Sequence, residues 1–209
     1  MQTHYRRKLI FLILLVGMSS PSFASTLAQK VQETYQNTKS VRARFVQKTR
    51  IEVFERDVQE EGTLLFGEGR FAIHYEGANP RNYLSDGKTL WIHHVKEKEV
   101  EVYRPVQDVL SREALVFLGG LGEMSKEFRV TESAKNTLRL MPKNGRAPFT
   151  KLILTVDPKT YRVSEVTLFS RGGNTSRYFF SNVEINVPVS DADFTFHEKG
   201  VREISGGSR

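Results

Sequence analysis

Long stretches of the chain alternate between apolar and polar residues, which is the pattern of β-strands with one buried face. In the first such stretch, Val41, Ala43 and Phe45 alternate with arginines. The clearest runs are Val41–Thr49, Arg70–Tyr75, Leu90–Val95 and Val100–Tyr103. In Leu90–Val95, alternation places Leu90 and Ile92 on one face and Trp91 on the other.

Turn motifs separate these runs and divide the second half of the chain. Asp157-Pro158-Lys159 and Gly172-Gly173-Asn174 lie between Phe149–Val156, Tyr161–Ser170 and Ser176–Ile185. Asp86-Gly87 and Lys96–Lys98 have the same role in the first half. Such residues favour tight turns, and short turns between consecutive strands predict an antiparallel meander of about ten strands.

Two segments have helical patterns. Thr26–Asn37 begins with the capping-box spacing of Thr26 and Gln29, and its apolar residues recur every four positions. Asp108–Leu118 is apolar nearly all round and is followed by Gly119-Gly120. A short helix of this kind must be buried or must cover an apolar surface, and the glycines would let it move.

The first residues have the organisation of a secretory signal peptide. Basic residues at positions 6–8 precede the apolar run Leu9–Val16, which is shorter than a membrane-spanning helix needs. Small residues at Ser22 and Ala24 predict cleavage after Ala24. We therefore expect a signal peptide at 1–24 and one domain at 25–209, with the net charge falling from +7 to +4 as Arg6, Arg7 and Lys8 are removed.

Candidate chemistry is sparse. The chain has no cysteine, which excludes disulfides, cysteine ligands and lipidation at a cysteine after the signal. Adjacent His93 and His94 point to opposite faces of a strand and do not share a metal. No nucleophile elbow or zinc-protease motif occurs, and the basic residues are scattered. We expect no enzyme activity, no catalytic residue, no metal or other cofactor and no nucleic-acid binding.

One stretch resembles a known family. Gly69–Tyr75, Pro80 and then Leu84–Trp91, with its run Ser-Asp-Gly-Lys-Thr-Leu-Trp, is similar to the signature of the periplasmic outer-membrane lipoprotein carriers, the LolA family. Phe45-Val46-Gln47 resembles the first family strand, and Asp193–Phe196 with Gly200-Val201 resembles the terminal strand. The likeness extends over nearly all of Ser25–Ile204.

The resemblance implies a mainly β (α+β) fold, an incomplete antiparallel β-barrel of about ten to eleven strands closed by short helices. It implies a soluble periplasmic carrier that takes acylated lipoproteins from an inner-membrane lipoprotein-releasing ABC transporter and delivers them to an outer-membrane lipoprotein receptor. We expect a monomer, since a shuttle must diffuse.

The alternation and the resemblance together assign a binding site. We expect the concave surface to hold acyl chains on Phe45, Phe71, Ile73, Tyr75, Leu90 and Ile92, with Trp91 either in the lining or an outer brace. The lid is expected at 108–121, with Leu110, Leu115, Phe117, Leu118 and Leu121 as its apolar residues.

The sequence departs from the family pattern at one point. A basic residue followed by proline is common four residues before the position of Phe71, where this chain has Gly67 and Glu68. In the family that residue helps to hold the lid, and Arg70 is the nearby candidate for lid control. This departure motivates one alternative, a related carrier of another lipid or apolar metabolite. A domain that senses lipoproteins is a separate alternative.

Overall fold

The computed structural model describes residues 26–110, 121–145 and 147–205. The α-helices are α1 (Leu27–Gln36) and α2 (Met124–Glu127), and short 3-10 turns cover Glu52–Phe54, Val106–Asp108, Leu121–Glu123 and Asp191–Asp193. The strands are β1 (Ser40–Ile51), β2 (Arg56–Gly67), β3 (Arg70–Tyr75), β4 (Arg81–Ser85), β5 (Leu90–His94), β6 (Glu99–Tyr103), β7 (Phe128–Ala134), β8 (Thr137–Pro142), β9 (Phe149–Val156), β10 (Val163–Ser170), β11 (Thr175–Ile185) and β12 (Arg202–Ser205).

The strands form a single open sheet in the order β12-β6-β5-β4-β3-β2-β1-β11-β10-β9-β8-β7. Neighbours are antiparallel except β12, which pairs parallel to β6. Within the described part of the chain, β12 and β7 are therefore the two edges of the sheet, each with one neighbouring strand. The predicted mainly β fold, an incomplete antiparallel barrel with short helices, is confirmed, and the described residues form twelve strands rather than ten or eleven.

Local sequence accounts for the turns and for the first helix. The carboxylate of Asp86 accepts hydrogen bonds from the backbone N–H groups of Lys88 and Thr89, and Asp157 does the same for Lys159 and Thr160. Gly173 adopts a positive φ of 88°, which glycine adopts without strain. The capping box predicted at Thr26 is present and starts α1.

The expected terminal strand at Asp193–Phe196 is wrong. Ser190 donates from its backbone N–H and its hydroxyl to Asp193 Oδ2, at 2.6 and 2.9 Å, and this winds Asp191–Asp193 into a 3-10 turn. The Phe194 ring is then completely buried against the sheet, and the final strand is β12. The predicted signal peptide and most of the predicted lid helix lie outside the described residues.

Candidate functional site

The two faces of the sheet are packed differently, and we name them by what they carry. The inner face carries Phe45 and Ile73, together with α1, which packs at the β7–β10 end through the buried Val31. The outer face carries Ala72, Leu84 and Trp91 under the C-terminal segment that contains Phe194 and Phe196.

Two adjoining apolar cavities lie on the inner face. They contain about 460 and 760 Å³ of space that opens to solvent, and Leu64, Phe66 and Phe180 belong to the walls of both. The first also has a wall formed by Tyr35, Val41, Ala43, Leu121, Val163, Val166 and Val183. The second also has a wall formed by Phe45, Ile73, Tyr75, Pro148, Phe149, Leu168 and Tyr178. Such walls suit a hydrocarbon ligand, since concave apolar surface is the usual setting of a small-molecule site.

Aromatic packing shapes the second cavity. The Phe45 ring meets the Tyr75 ring edge-on, with centroids 5.1 Å apart, and lies 6.2 Å from the Tyr178 ring. Gly62 makes room for this arrangement, since a Cβ there would lie 3.0 Å from Phe45 Cζ and 2.0 Å from the His74 carbonyl oxygen. A side chain at Gly62 would therefore displace the cavity wall.

The inner face holds six of the seven residues expected to bind acyl chains. Phe45, Ile73 and Tyr75 line the second cavity. Phe71 and Leu90 lie on the same face but are fully packed around Val106, with Ile92 against them. They support the wall instead of forming it, since none of the three lines either cavity. Trp91 lies on the outer face near Phe194, in the position of the outer brace.

Sequence reasoning missed many of the cavity residues, among them four on β2 and β11. Leu64 and Phe66 alternate in β2, and Tyr178 and Phe180 alternate in β11. Their period-two spacing was visible in the sequence. Their position beside Phe45 depends on the β1–β11 pairing, in which Phe45 faces Phe180 across 135 positions of chain.

Two of the predicted lid residues, one near each end of the lid, are described. Leu121 is buried and lines the first cavity, and Leu110 packs against both the Val31 cluster and the Phe71 cluster. Leu115, Phe117 and Leu118 lie outside the described residues. The assignment of a lid therefore stays a prediction, with both flanking leucines on the inner face.

Polar side chains lie beside Tyr75, at one edge of the second cavity. Arg81 and Glu60 form an ion pair with two hydrogen bonds, of 2.6 and 3.1 Å. The Arg81 guanidinium lies 4.0 Å from the centroid of the Tyr75 ring, and the Tyr75 hydroxyl donates to Gln47 Oε1 at 2.7 Å. Burial raises the pKa of Tyr75 well above its ordinary value, so that its hydroxyl remains a hydrogen-bond donor.

Arg70 lies on the outer face. Its guanidinium donates to Asp191 at 2.6 Å and to Glu68 at 3.0 Å, and it stacks over the Phe194 ring at 4.6 Å. These contacts hold the C-terminal segment against the sheet. Lid control by Arg70 stays a prediction, and its contacts with described residues give it a different role.

The histidines and acidic residues do not gather into a metal site. His93 is buried on the outer face beside Phe196, whereas His94 bonds Glu101 at 2.8 Å. Within residues 26–110, 121–145 and 147–205 no group of three or more His, Cys, Asp or Glu is placed to hold a metal ion. Across these ranges no helix has the length and apolar character needed to cross a membrane.

Comparisons with known proteins agree with this geometry. An outer-membrane lipoprotein carrier protein of Coxiella burnetii is 24% identical over 193 residues, covering 90% of this chain and 89% of the relative. One of Chromobacterium violaceum is 28% identical over 199 residues, covering 91% and 92%. An uncharacterized conserved protein of Thermus thermophilus shares the fold, with a TM-score of 0.54, 9% identity and coverage of 86% of this chain and 99% of that one.

The family model described as outer membrane lipoprotein carrier protein LolA matches residues 36–197. This range includes the strands that line both cavities and the residues that flank the predicted lid. The chain therefore belongs to the LolA family of outer membrane lipoprotein carrier proteins.

Proposed function

We propose that this chain carries lipoproteins by enclosing their acyl chains in the two inner-face cavities. The observation that carries the proposal is the continuous apolar wall, in which Leu64, Phe66 and Phe180 join the two cavities. Membership in the family confirms the periplasmic location that the resemblance implied.

The physical requirement for a carrier is that binding be strong and still reversible. Enclosing acyl carbon is worth about 0.8 kcal/mol per methylene, so a complete enclosure of several chains would prevent release. A segment that packs on the same apolar surface weakens net binding, because the ligand must displace it. We assign this role to the lid at 108–121. Its described residues Leu110 and Leu121 both contact the inner-face core.

The same proposal includes the partners. The carrier would take its cargo from an inner-membrane lipoprotein-releasing ABC transporter and pass it to an outer-membrane receptor, acting as a monomer. It would do so as a non-enzymatic binding protein. The cavity walls support this assignment, since they are apolar and none of the described Asp, Glu or His residues lines them.

Two adjacent phenylalanines on opposite faces offer the direct test. Phe180 lines both cavities, whereas Phe179 lies on the outer side of β11 between Lys48 and Arg177. Native mass spectrometry would compare Phe180→Glu, Phe179→Glu and the unchanged protein, each mixed with a triacylated lipopeptide and with its unacylated counterpart.

We expect the unchanged protein and Phe179→Glu to form a one-to-one complex with the acylated peptide alone. Phe180→Glu should lose that complex, because a carboxylate would be desolvated on contact with acyl chains. Binding of the unacylated peptide would contradict the proposal and point to peptide recognition. Equal binding by both variants would remove the cavities from the binding site.

A carrier of another lipid is the second candidate, and one observation favours it. Gly67 and Glu68 replace the family's basic residue and proline, and Arg70 is engaged with Asp191 on the outer face. Native mass spectrometry of protein purified from its own periplasm would separate the candidates by the mass of the bound cargo. A bound lipid without a polypeptide would favour this alternative.

A further inference from the structure

A cluster of polar side chains at one end of the second cavity bears on which ligands can bind there. We define it as Gln47, Glu60, Tyr75, Arg81 and Tyr83. The cross-strand pairs Tyr75–Arg81 and Gln47–Glu60 put these residues on the inner face, one step beyond Phe45. An acyl chain lying in the cavity would bring one of its ends to this cluster.

Arg81 is the cation at this end, and both prongs of its guanidinium fork are already engaged. Nη1 and Nη2 donate to the two carboxylate oxygens of Glu60, and Nε donates to the Tyr83 hydroxyl at 3.2 Å. The guanidinium fork matches a carboxylate in this two-pronged geometry. Glu60 therefore occupies the position that the carboxylate of a fatty acid would take.

The surroundings strengthen the pair. The side chains of Arg81 and Glu60 are only 23% and 27% exposed, and the face of the Tyr75 ring covers the guanidinium. Breaking the pair would leave one charge poorly solvated beside an apolar cavity, which is costly. An anionic ligand would have to overcome that cost to reach Arg81, whereas a neutral ester or amide would not.

We propose that Glu60 and Arg81 are specificity-determining residues that neutralise each other, so that the cavity accepts acyl chains with neutral ester or amide linkages and disfavours free fatty-acid anions and cationic amphiphiles. This inference rests on the proposed function, since it requires that acyl chains enter the cavity. It adds to that function the chemical class of head group that the cavity disfavours. Unfavourable contacts with the wrong ligand are a recognised source of specificity.

Three ligands that share the same alkyl chain and differ in their head groups serve as probes: dodecanol, dodecanoate and dodecylamine. Calorimetry at pH 7.5 would measure the affinity of each for the exported protein, and the affinities of the two ions would be expressed relative to dodecanol. The contribution of the shared alkyl chain to binding cancels in these ratios. We expect the unchanged protein to bind dodecanol most tightly.

The variants have opposite expected effects. Glu60→Gln exposes an unpaired guanidinium, so the relative affinity for dodecanoate should rise roughly tenfold, equivalent to one charge-assisted contact. Arg81→Met exposes Glu60, so the relative affinity for dodecylamine should rise by a similar factor. Combining both substitutions should abolish both gains, because no charge remains.

Glu61→Gln is the matched control. Glu61 is the next residue of β2, is exposed and lies on the outer face, so its substitution should leave both ratios unchanged. Thermal unfolding would establish that each variant is folded, and the neutral double variant supplies a reference if either single variant unfolds.

The outcomes separate the two proposals. Normal dodecanol binding with ratios that stay within twofold in both single variants would overturn the selectivity inference alone. Retention of either gain in the double variant would overturn it as well. Absence of dodecanol binding by the unchanged protein would overturn both the selectivity inference and the proposed function.

Discussion

The outer and inner faces of the same sheet show two ways of treating apolar side chains. On the outer face, Ala72 and Leu84 are covered by the chain's own C-terminal segment, with Phe194 completely buried among them. On the inner face, Phe66 and Phe180 remain partly exposed around open space. Both faces have apolar residues at alternate positions, so the pattern itself does not distinguish them.

The difference lies in what covers each face. The C-terminal segment is held by Arg70, which contacts Asp191, and by the turn at Asp193, and its Phe194 ring is completely buried. Within the described residues the inner face is covered by α1, by Val106 and by the neighbourhood of Leu121, and these leave two cavities. A permanent cover stabilises the fold, whereas incomplete cover leaves surface for a ligand.

The largest expected effect is a loss of stability, and it should differ between two phenylalanines on opposite faces. Phe194→Ala should lower the free energy of unfolding by about 3–5 kcal/mol, because it opens a cavity in a packed core. Phe180→Ala should cost roughly 1–2 kcal/mol, because its ring already borders empty space. Urea unfolding of both variants measures these costs, and equal values would contradict the contrast between the two faces.

An intermediate effect is expected for the arginine that fastens the C-terminal segment. Arg70→Met should lower the unfolding free energy by about 1–2 kcal/mol, because the side chain is only 16% exposed and its guanidinium stacks over the buried Phe194 ring. Arg44→Met is the control, since Arg44 pairs with Glu76 at 3.0 Å but is 47% exposed. Its pair should contribute about 0–1 kcal/mol.

The unfolding transitions of these two variants would be compared by circular dichroism. Native mass spectrometry with the triacylated lipopeptide would then test whether Arg70→Met changes ligand binding. Unchanged lipid binding is expected from its outer-face contacts. A loss of lipid binding without loss of stability would instead favour the lid-control role predicted from the sequence.

The smallest expected effect is a pH dependence at the turn before Phe194. Hydrogen bonds from the Ser190 backbone N–H and hydroxyl lower the pKa of Asp193 below its ordinary 3.8. Its stabilisation is therefore present above pH 3.8 and is lost as the pH falls through the lower native value. Asp193→Asn should cost about 0.5–1 kcal/mol at pH 7, because an amide oxygen is a weaker hydrogen-bond acceptor than a carboxylate.

This loss should disappear at acid pH, where the native carboxyl is itself protonated. Urea unfolding of the unchanged protein and of Asp193→Asn between pH 2 and pH 7 would measure it. A difference that stayed constant over this range would show that the charge of Asp193 does not stabilise the turn.

Local patterns predicted much of the fold. Arg70–Tyr75 and Phe149–Val156 are strands with the predicted bounds, and the capping box at Thr26 starts α1. These succeed because alternation, turn residues and caps act over a few residues. The terminal strand at Asp193–Phe196 failed because the hydrogen bonds of Ser190 favour a turn that buries Phe194.

The sequence by itself determined the class of fold, the family and the face shared by Phe45, Phe71, Ile73, Tyr75, Leu90 and Ile92, because side-chain direction follows strand periodicity. Only the tertiary structure decided which of these residues border free space. That outcome depends on pairings between distant strands, such as Phe45 with Phe180, and on which segment covers each face. Alternation along the chain specifies that a side chain is buried, but packing between distant segments specifies whether its neighbour is protein or an open cavity.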